Sequence, residues 1–190
     1  MAKPLLQVII GSTRPGRVGS AVADWIVDRA RAQGDFEVEV TDLALLDLPL
    51  FDEPDHPRLR RYVHQHTKDW SAVVDRSDAF IFVIPEYNHG FNAATKNAID
   101  YLSQEWQNKP AGIVSYGGSS GGIRAVQMLK QVLGALKMEP VAESVTIPFV
   151  REHLDGDGQV KPTESMEAAA AAMLAELARS TAALLPLRAA

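Results

Sequence analysis

A chain of 190 residues, 46% hydrophobic and 23% charged, has the composition of one globular domain able to bury roughly 70% of its unfolded surface. A net charge of −5 with no long basic run argues against nucleic acid as a partner, and the lack of cysteine excludes disulfides, iron–sulfur clusters and thiol catalysis. The N-terminal apolar run is too short for a signal peptide or a membrane span, so the expectation is a cytoplasmic protein with no membrane partner.

Residues 5–10, apolar except for Gln7, read as a buried strand that stops at Gly11. A polar loop follows, Ser12-Thr13-Arg14-Pro15-Gly16-Arg17, and a helical stripe opens at Val18 and runs through Val22, Trp25 and Ile26. This first helix is predicted over 17–31, ending near Gly34. Phe36, Val38 and Val40 alternate as a second strand. Residues 43–57 hold Pro49, Pro54 and Pro57 and read as a loop, with 45–50 partly buried. Leu59, Tyr62, Val63, His66, Trp70, Val73 and Val74 share one helical face. Residues 79–84 form a fully apolar third strand, closed by Pro85.

Phe91, Ala94, Ala98, Ile99 and Leu102 mark the next helix. Residues 110–116 are a fourth strand, and a glycine-rich loop carries the chain to a helix through Ile123, Val126, Leu129, Val132, Leu133 and Leu136. A fifth strand lies within 141–150, Gly156 and Gly158 mark a turn, and 164–185 is an alanine-rich helix. Five buried strands alternating with helices imply a doubly wound parallel sheet in a single domain spanning 1–190. Ligands of such sheets sit beyond the carboxyl ends of the strands. That rule selects the loops after strands one, three and four.

The first loop is suited to an anion. The free N–H groups and dipole of the helix start favour negative charge, Ser12 and Thr13 add hydroxyls, and Arg14 and Arg17 add guanidinium forks. It matches neither the dinucleotide glycine fingerprint nor the Walker A loop. The second loop, Pro85-Glu86-Tyr87-Asn88-His89-Gly90, offers an aromatic ring for stacking and polar groups for reading ring edges. The third, residues 115–122, holds four glycines and three serines and leaves backbone donors exposed.

The three segments GSTRPGR, PEYNHGFNAATKNAIDYL and SYGGSSGG, in this order and spacing, resemble the NADPH-dependent FMN reductase family of flavodoxin-like proteins over residues 5–136. The resemblance implies a flavodoxin-like α/β fold: a five-stranded parallel sheet of order 2-1-3-4-5 with helices on both faces. It implies FMN as cofactor, its phosphate at Ser12, Arg14, Arg17 and Val18. The isoalloxazine would lie against Pro85, Glu86, Tyr87, Asn88, His89 and Gly90, with Ser115, Tyr116, Gly117 and Gly118 closing the other side. NADPH or NADH would be the co-substrate, and a flavin, quinone, azo compound or metal oxyanion the small-molecule acceptor. A homodimer or homotetramer is also implied. Many members have a serine where Arg17 stands. Many also have Pro-Gly-x-Leu where this chain has Asn92-Ala93-Ala94-Thr95, a stretch expected to border the substrate.

No residue is assigned an acid–base role, because the flavin would carry the redox chemistry. No metal is expected. His64 and His66, two apart on a helix, would point to different sides, and the acidic residues Asp52, Glu53 and Asp55 read as a solvated loop. Lys96 and Asp100 stand one turn apart as a structural pair. A hydrolase triad lacks its G-x-S-x-G elbow. The alternatives are a flavodoxin-like FMN electron carrier without nicotinamide turnover and a non-enzymatic phosphate-binding regulator.

Overall fold

The computed structural model describes residues 3–188. The strands are β1 (Leu5–Ile10), β2 (Glu37–Asp42), β3 (Ala79–Tyr87), β4 (Gly90–Phe91), β5 (Pro110–Tyr116) and β6 (Glu139–Ile147). The helices are α1 (Gly19–Gln33), α2 (Leu43–Leu46), α3 (Gln65–Arg76), α4 (Ala93–Asp100), α5 (Ile123–Ala135) and α6 (Glu164–Arg188). The parallel strands lie in the order β2-β1-β3-β5-β6, and two-residue β4 pairs antiparallel with β3 beyond the sheet. Leaving β4 aside, this is the expected order 2-1-3-4-5.

Strand alternation divides the apolar side chains between two cores. Ala79, Ile81 and Val83 of β3 face one way, with Val22 and Ile26 of α1 and Met173, Leu174 and Leu177 of α6. Phe80, Phe82 and Ile84 face the other way, against Trp70 of α3, Trp106, and Leu129 and Leu133 of α5. Helix α6 is long and apolar enough to cross a membrane by length and composition, but it lays Met166, Ala170, Met173, Leu174 and Leu177 on the sheet as a core helix does.

Three expectations need correction. Pro85 does not end the third strand, which continues to Tyr87. The Val83 carbonyl accepts from Gly11 N on the β1 side, so Pro85, two residues on, turns its missing N–H the same way, past the end of β1. The helix placed from Leu59 begins only at Gln65. The Glu53 carboxylate takes the N–H groups of Val63 and His64 at 2.8 and 3.1 Å, and Arg60 sits at φ 50° where it closes a 3₁₀ turn at Pro57–Leu59, so residues 60–63 form a strap and not the first turn of α3. Residues 43–57 are not all loop, because Asp42 caps the one-turn helix α2 by accepting from Ala44 N. Within 45–50, Leu46 and Leu48 pack on the core, whereas Leu45 and Leu50 remain exposed.

Candidate functional site

The site grows from the end of β1. Gly11 N donates to the Val83 carbonyl at 2.9 Å. Its own carbonyl accepts from Asn92 Nδ2 at 2.6 Å, and Thr95 Oγ1 donates to Asn92 Oδ1 at 2.8 Å. A Cβ on Gly11 would stand 2.3 Å from Thr95 Oγ1, so the packing requires glycine there. Asn92 and Thr95 are buried and brace the start of the anion loop.

Gly16 at φ 67° turns the loop, and Arg17 N closes it on the Arg14 carbonyl at 3.2 Å. Helix α1 then begins with Val18 as its N-cap, with no capping side chain and no acid in the first turn. Its leading N–H groups are therefore available to an anion. Ser12 is buried beside them, and Arg14 extends into solvent. Arg17 pairs with Asp42, yet its Nε is buried with no partner. The Tyr116 hydroxyl is also buried and unpartnered, facing Gly19 and Ser12. Burial, which disfavours the phenolate, pushes its pKa up to about 12, so it stands there as a neutral donor. Tyr87 Oη lies 3.5 Å from Ser12 Oγ.

These groups line a cavity of about 340 Å³. Of the residues expected at the site, Ser12, Arg14, Arg17, Val18, Pro85, Glu86, Tyr87, Tyr116 and Gly117 form its wall. Residues 4–152 match the family described as NADPH-dependent FMN reductases. The chain belongs to that family. It is 40% identical to an NAD(P)H-dependent FMN reductase of Nectria sp over 156 residues, 78% of this chain and 76% of the relative. It is 41% identical to one of Schizosaccharomyces pombe over 149 residues, 76% and 74% of the two chains. The solved structure of an NAD(P)H:acceptor flavoenzyme from Paracoccus denitrificans shares the fold, with a TM-score of 0.74 at 21% identity over 95% of this chain and 98% of that one. The protein is thus an oxidoreductase using FMN and NAD(P)H.

The donor set fits FMN. A phosphate dianion needs several convergent donors, and this reductase offers unspent α1 N–H groups, Ser12 Oγ, Tyr116 Oη and Arg17 Nε, with Arg14 beside them. Pro85 and Tyr87 offer the flat surfaces a planar ring requires.

Glu86 stands in the cavity wall with its carboxylate engaged by Ser120 and the start of α5. It accepts from Ser120 Oγ at 2.9 Å, from Arg124 Nε at 2.8 Å, and from the N–H groups of Arg124 and Ala125. Helix α5 has Gly122 as N-cap and hence no capping side chain of its own, so a strand residue supplies the cap. Burial opposes ionisation of Glu86, but the bonds from Arg124, Ser120 and Ala125 and the Arg124 charge outweigh it and hold its pKa below the usual value.

Asn88, His89, Gly90, Ser115 and Gly118 do not line the cavity. Asn88 (φ 49°) and His89 (φ 69°) form the two-residue turn joining β3 to β4, with both central residues left-handed as a type I′ hairpin requires. Ser115 is buried and donates its hydroxyl to the Gly121 carbonyl at 2.9 Å. The Gly118 carbonyl accepts from Phe149 N at 3.2 Å.

Sequence reading missed Phe149, Val150, Arg151 and Glu152, which complete the wall. They follow β6, whose carboxyl end opens on the same edge of the sheet, but the stretch carries no glycine or hydroxyl signal.

The two histidines also differ from expectation. His64 is the extended N-cap residue of α3, so its ring stacks on that of His66, with centroids 5.1 Å apart and planes 7° apart. Both rings face Asp52, whose Oδ1 lies 3.0 Å from His66 Nε2 and accepts from Tyr101 Oη at 3.0 Å. No group of three or more His, Asp or Glu side chains suited to a metal occurs among the described residues. Lys96 and Asp100 form the expected pair at 2.5 Å.

Proposed function

We propose that the cavity holds FMN with its phosphate at Ser12, Arg14, Arg17, Tyr116 and the first turn of α1. The ring lies toward Pro85, Glu86 and Tyr87, beside the Asn88–His89–Gly90 turn and the backbone of residues 115–118. When bound, FMN supplies the chemistry, taking hydride from NADPH or NADH and passing it to a flavin, a quinone, an azo compound or a metal oxyanion. The chain binds and orients: its donors fix the phosphate end, and Pro85 and Tyr87 set the plane of the ring. The carrying observation is the gathering of unpartnered donors, Tyr116 Oη and Arg17 Nε, at the open start of α1 in a chain of this family. No side chain need move a proton.

We take residues 1–190 to be one such domain, soluble and cytoplasmic, working as a homodimer or homotetramer without metal, nucleic acid or membrane. Exposed Ile123 and Met128 of α5, with Leu45 and Leu50 on the same side of the sheet, support a subunit contact there. Sedimentation showing only monomer would remove it.

Anaerobic mixing of the FMN-loaded protein with NADPH tests the main reading. The flavin's visible absorbance should fall in one two-electron step, and kinetics with acceptor should be ping-pong. If NADPH and NADH both leave the absorbance unchanged, the chain is an electron carrier and not a reductase.

A further inference from the structure

The second strand delivers an acid to a site built for an anion. Asp42 closes β2 in register with Ile10, the last residue of β1 before Gly11, and so stands beside the phosphate loop. Its side chain is 14% exposed, and one oxygen, Oδ2, accepts from Nη2 of Arg17. The other, Oδ1, accepts from Ala44 N at 3.0 Å and caps α2. A largely buried carboxylate next to the donors for a phosphate dianion repels that ligand, so its place there needs another cause.

Arg17 supplies that cause. Its guanidinium is planar and rigid, so fixing one nitrogen on Asp42 fixes the plane and with it the direction of the others. Nη2 is spent on the carboxylate, while Nε is buried with no partner and the residue lines the cavity. A pair that served only to tie the loop to β2 has no need of a stranded donor, because a buried N–H without a partner costs free energy. Without Asp42 the side chain would be released to extend into solvent as that of Arg14 does. Ordering it would then fall to the ligand, at the expense of affinity.

We propose that Asp42 is a positioning residue for FMN: it touches no ligand, but holds Arg17 with Nε ready for the phosphate. The inference rests on the phosphate site at Ser12, Arg14, Arg17 and the start of α1. It goes beyond that site by giving a carboxylate outside the cavity wall a share in cofactor binding. Asp42 also caps α2, but the two duties fall on different oxygens and are separable by substitution. Asn and Ser both cap helices as well as Asp does, whereas neither carries the charge that holds the guanidinium, and Ser is also shorter.

The test titrates the full-length apo-protein with FMN and with riboflavin, following the quenching of flavin fluorescence. It compares the wild type with D42N, D42S, R17A and the double variants R17A/D42N and R17A/D42S. D42N and D42S should each raise the FMN Kd about tenfold, the loss of a charge-assisted bond, and leave riboflavin unchanged. In the R17A background neither change at Asp42 should weaken FMN further, because the carboxylate acts through Arg17. Tighter FMN in D42N or D42S would make Asp42 a plain repulsive charge and overturn the proposal, as would an unchanged Kd. Riboflavin weakened as much as FMN, or a loss of the same size in the R17A background, would also overturn it by marking a structural role through α2. Failure of the phosphate site itself shows separately, as a wild-type protein that binds FMN no better than riboflavin.

Discussion

Gly19 and Tyr116 meet at the cavity wall, where a Cβ on Gly19 would stand 2.6 Å from the tyrosine hydroxyl. The ring of Tyr116 is rigid and 5% exposed, so it cannot swing aside as a flexible side chain would. Gly19→Ala should therefore force the hydroxyl or the start of α1 to shift, costing about 1–3 kcal/mol of stability as an overpacking change. FMN affinity should fall with it. Thermal melts of apo- and FMN-loaded protein would check both effects.

Tyr116→Phe separates the hydroxyl's two possible roles. Because Tyr116 Oη has no protein partner, its removal should leave the apo-protein equally stable or slightly more so. FMN binding should weaken by about 0.5–1.5 kcal/mol, a hydrogen bond's net worth, while riboflavin, lacking the phosphate, should bind as before. An unchanged FMN Kd would take Tyr116 off the phosphate.

Arg14 and Arg17 differ in what else they hold. Arg14 extends into solvent, whereas Arg17 pairs with Asp42, the cap of α2. Arg14→Ala should weaken FMN by about 1.5–3 kcal/mol without affecting the apo-protein, the range for a bond to a charged group. Arg17→Ala should weaken FMN and also lower the apo melting temperature, since a half-buried Asp42 loses its partner. Titrations with FMN and riboflavin, paired with melts, would separate the two.

The parts of this fold legible in the sequence are those set by local pattern. The apolar runs of β1, β3 and β5 mark strands covered on both faces, and Gly11 with the polar residues after it marks the anion loop. What escaped depends on distant partners. The start of α3 is decided by Glu53, ten residues before Val63, and the extension of β3 through Pro85 by where β1 ends. Glu86 has a caps-and-charges role that only the approach of α5 reveals. The strap at 149–152 reaches the cavity because β6 lies beside β5, a consequence of sheet order with no signature in its own residues.

Asn92 shows how a departure from the family pattern is accommodated. Its amide satisfies the Gly11 carbonyl, and Thr95 satisfies its own oxygen, all in a buried setting. Asn92→Ala should leave that carbonyl unpaired and cost about 1–3 kcal/mol. Because the carbonyl lies at the head of the anion loop, FMN affinity should fall too, and amide exchange should quicken at residues 11–13. Urea unfolding with exchange measurements would show whether loop and helix are coupled in this way.

Glu86 carries a pH dependence whose sign follows from its pKa. The folded value lies below the ordinary carboxylate value of 4.5 because Arg124, Ser120 and the α5 N–H groups favour the ionised form. The unfolded chain then binds more protons than the folded one as pH falls below about 4.5, so the stabilisation is complete above that pH and is lost as pH drops through the folded pKa. Glu86→Gln keeps an acceptor but removes the charge. It should cost about 1–2 kcal/mol at pH 7, where a buried carboxylate with charged and backbone donors is replaced by a neutral amide. The variant's stability should also decline less steeply than the wild type's between about pH 5 and pH 3. Chemical denaturation across that range measures both slopes. Parallel slopes would mean that Glu86 is not what links α5 to acid stability, whatever the loss at neutral pH.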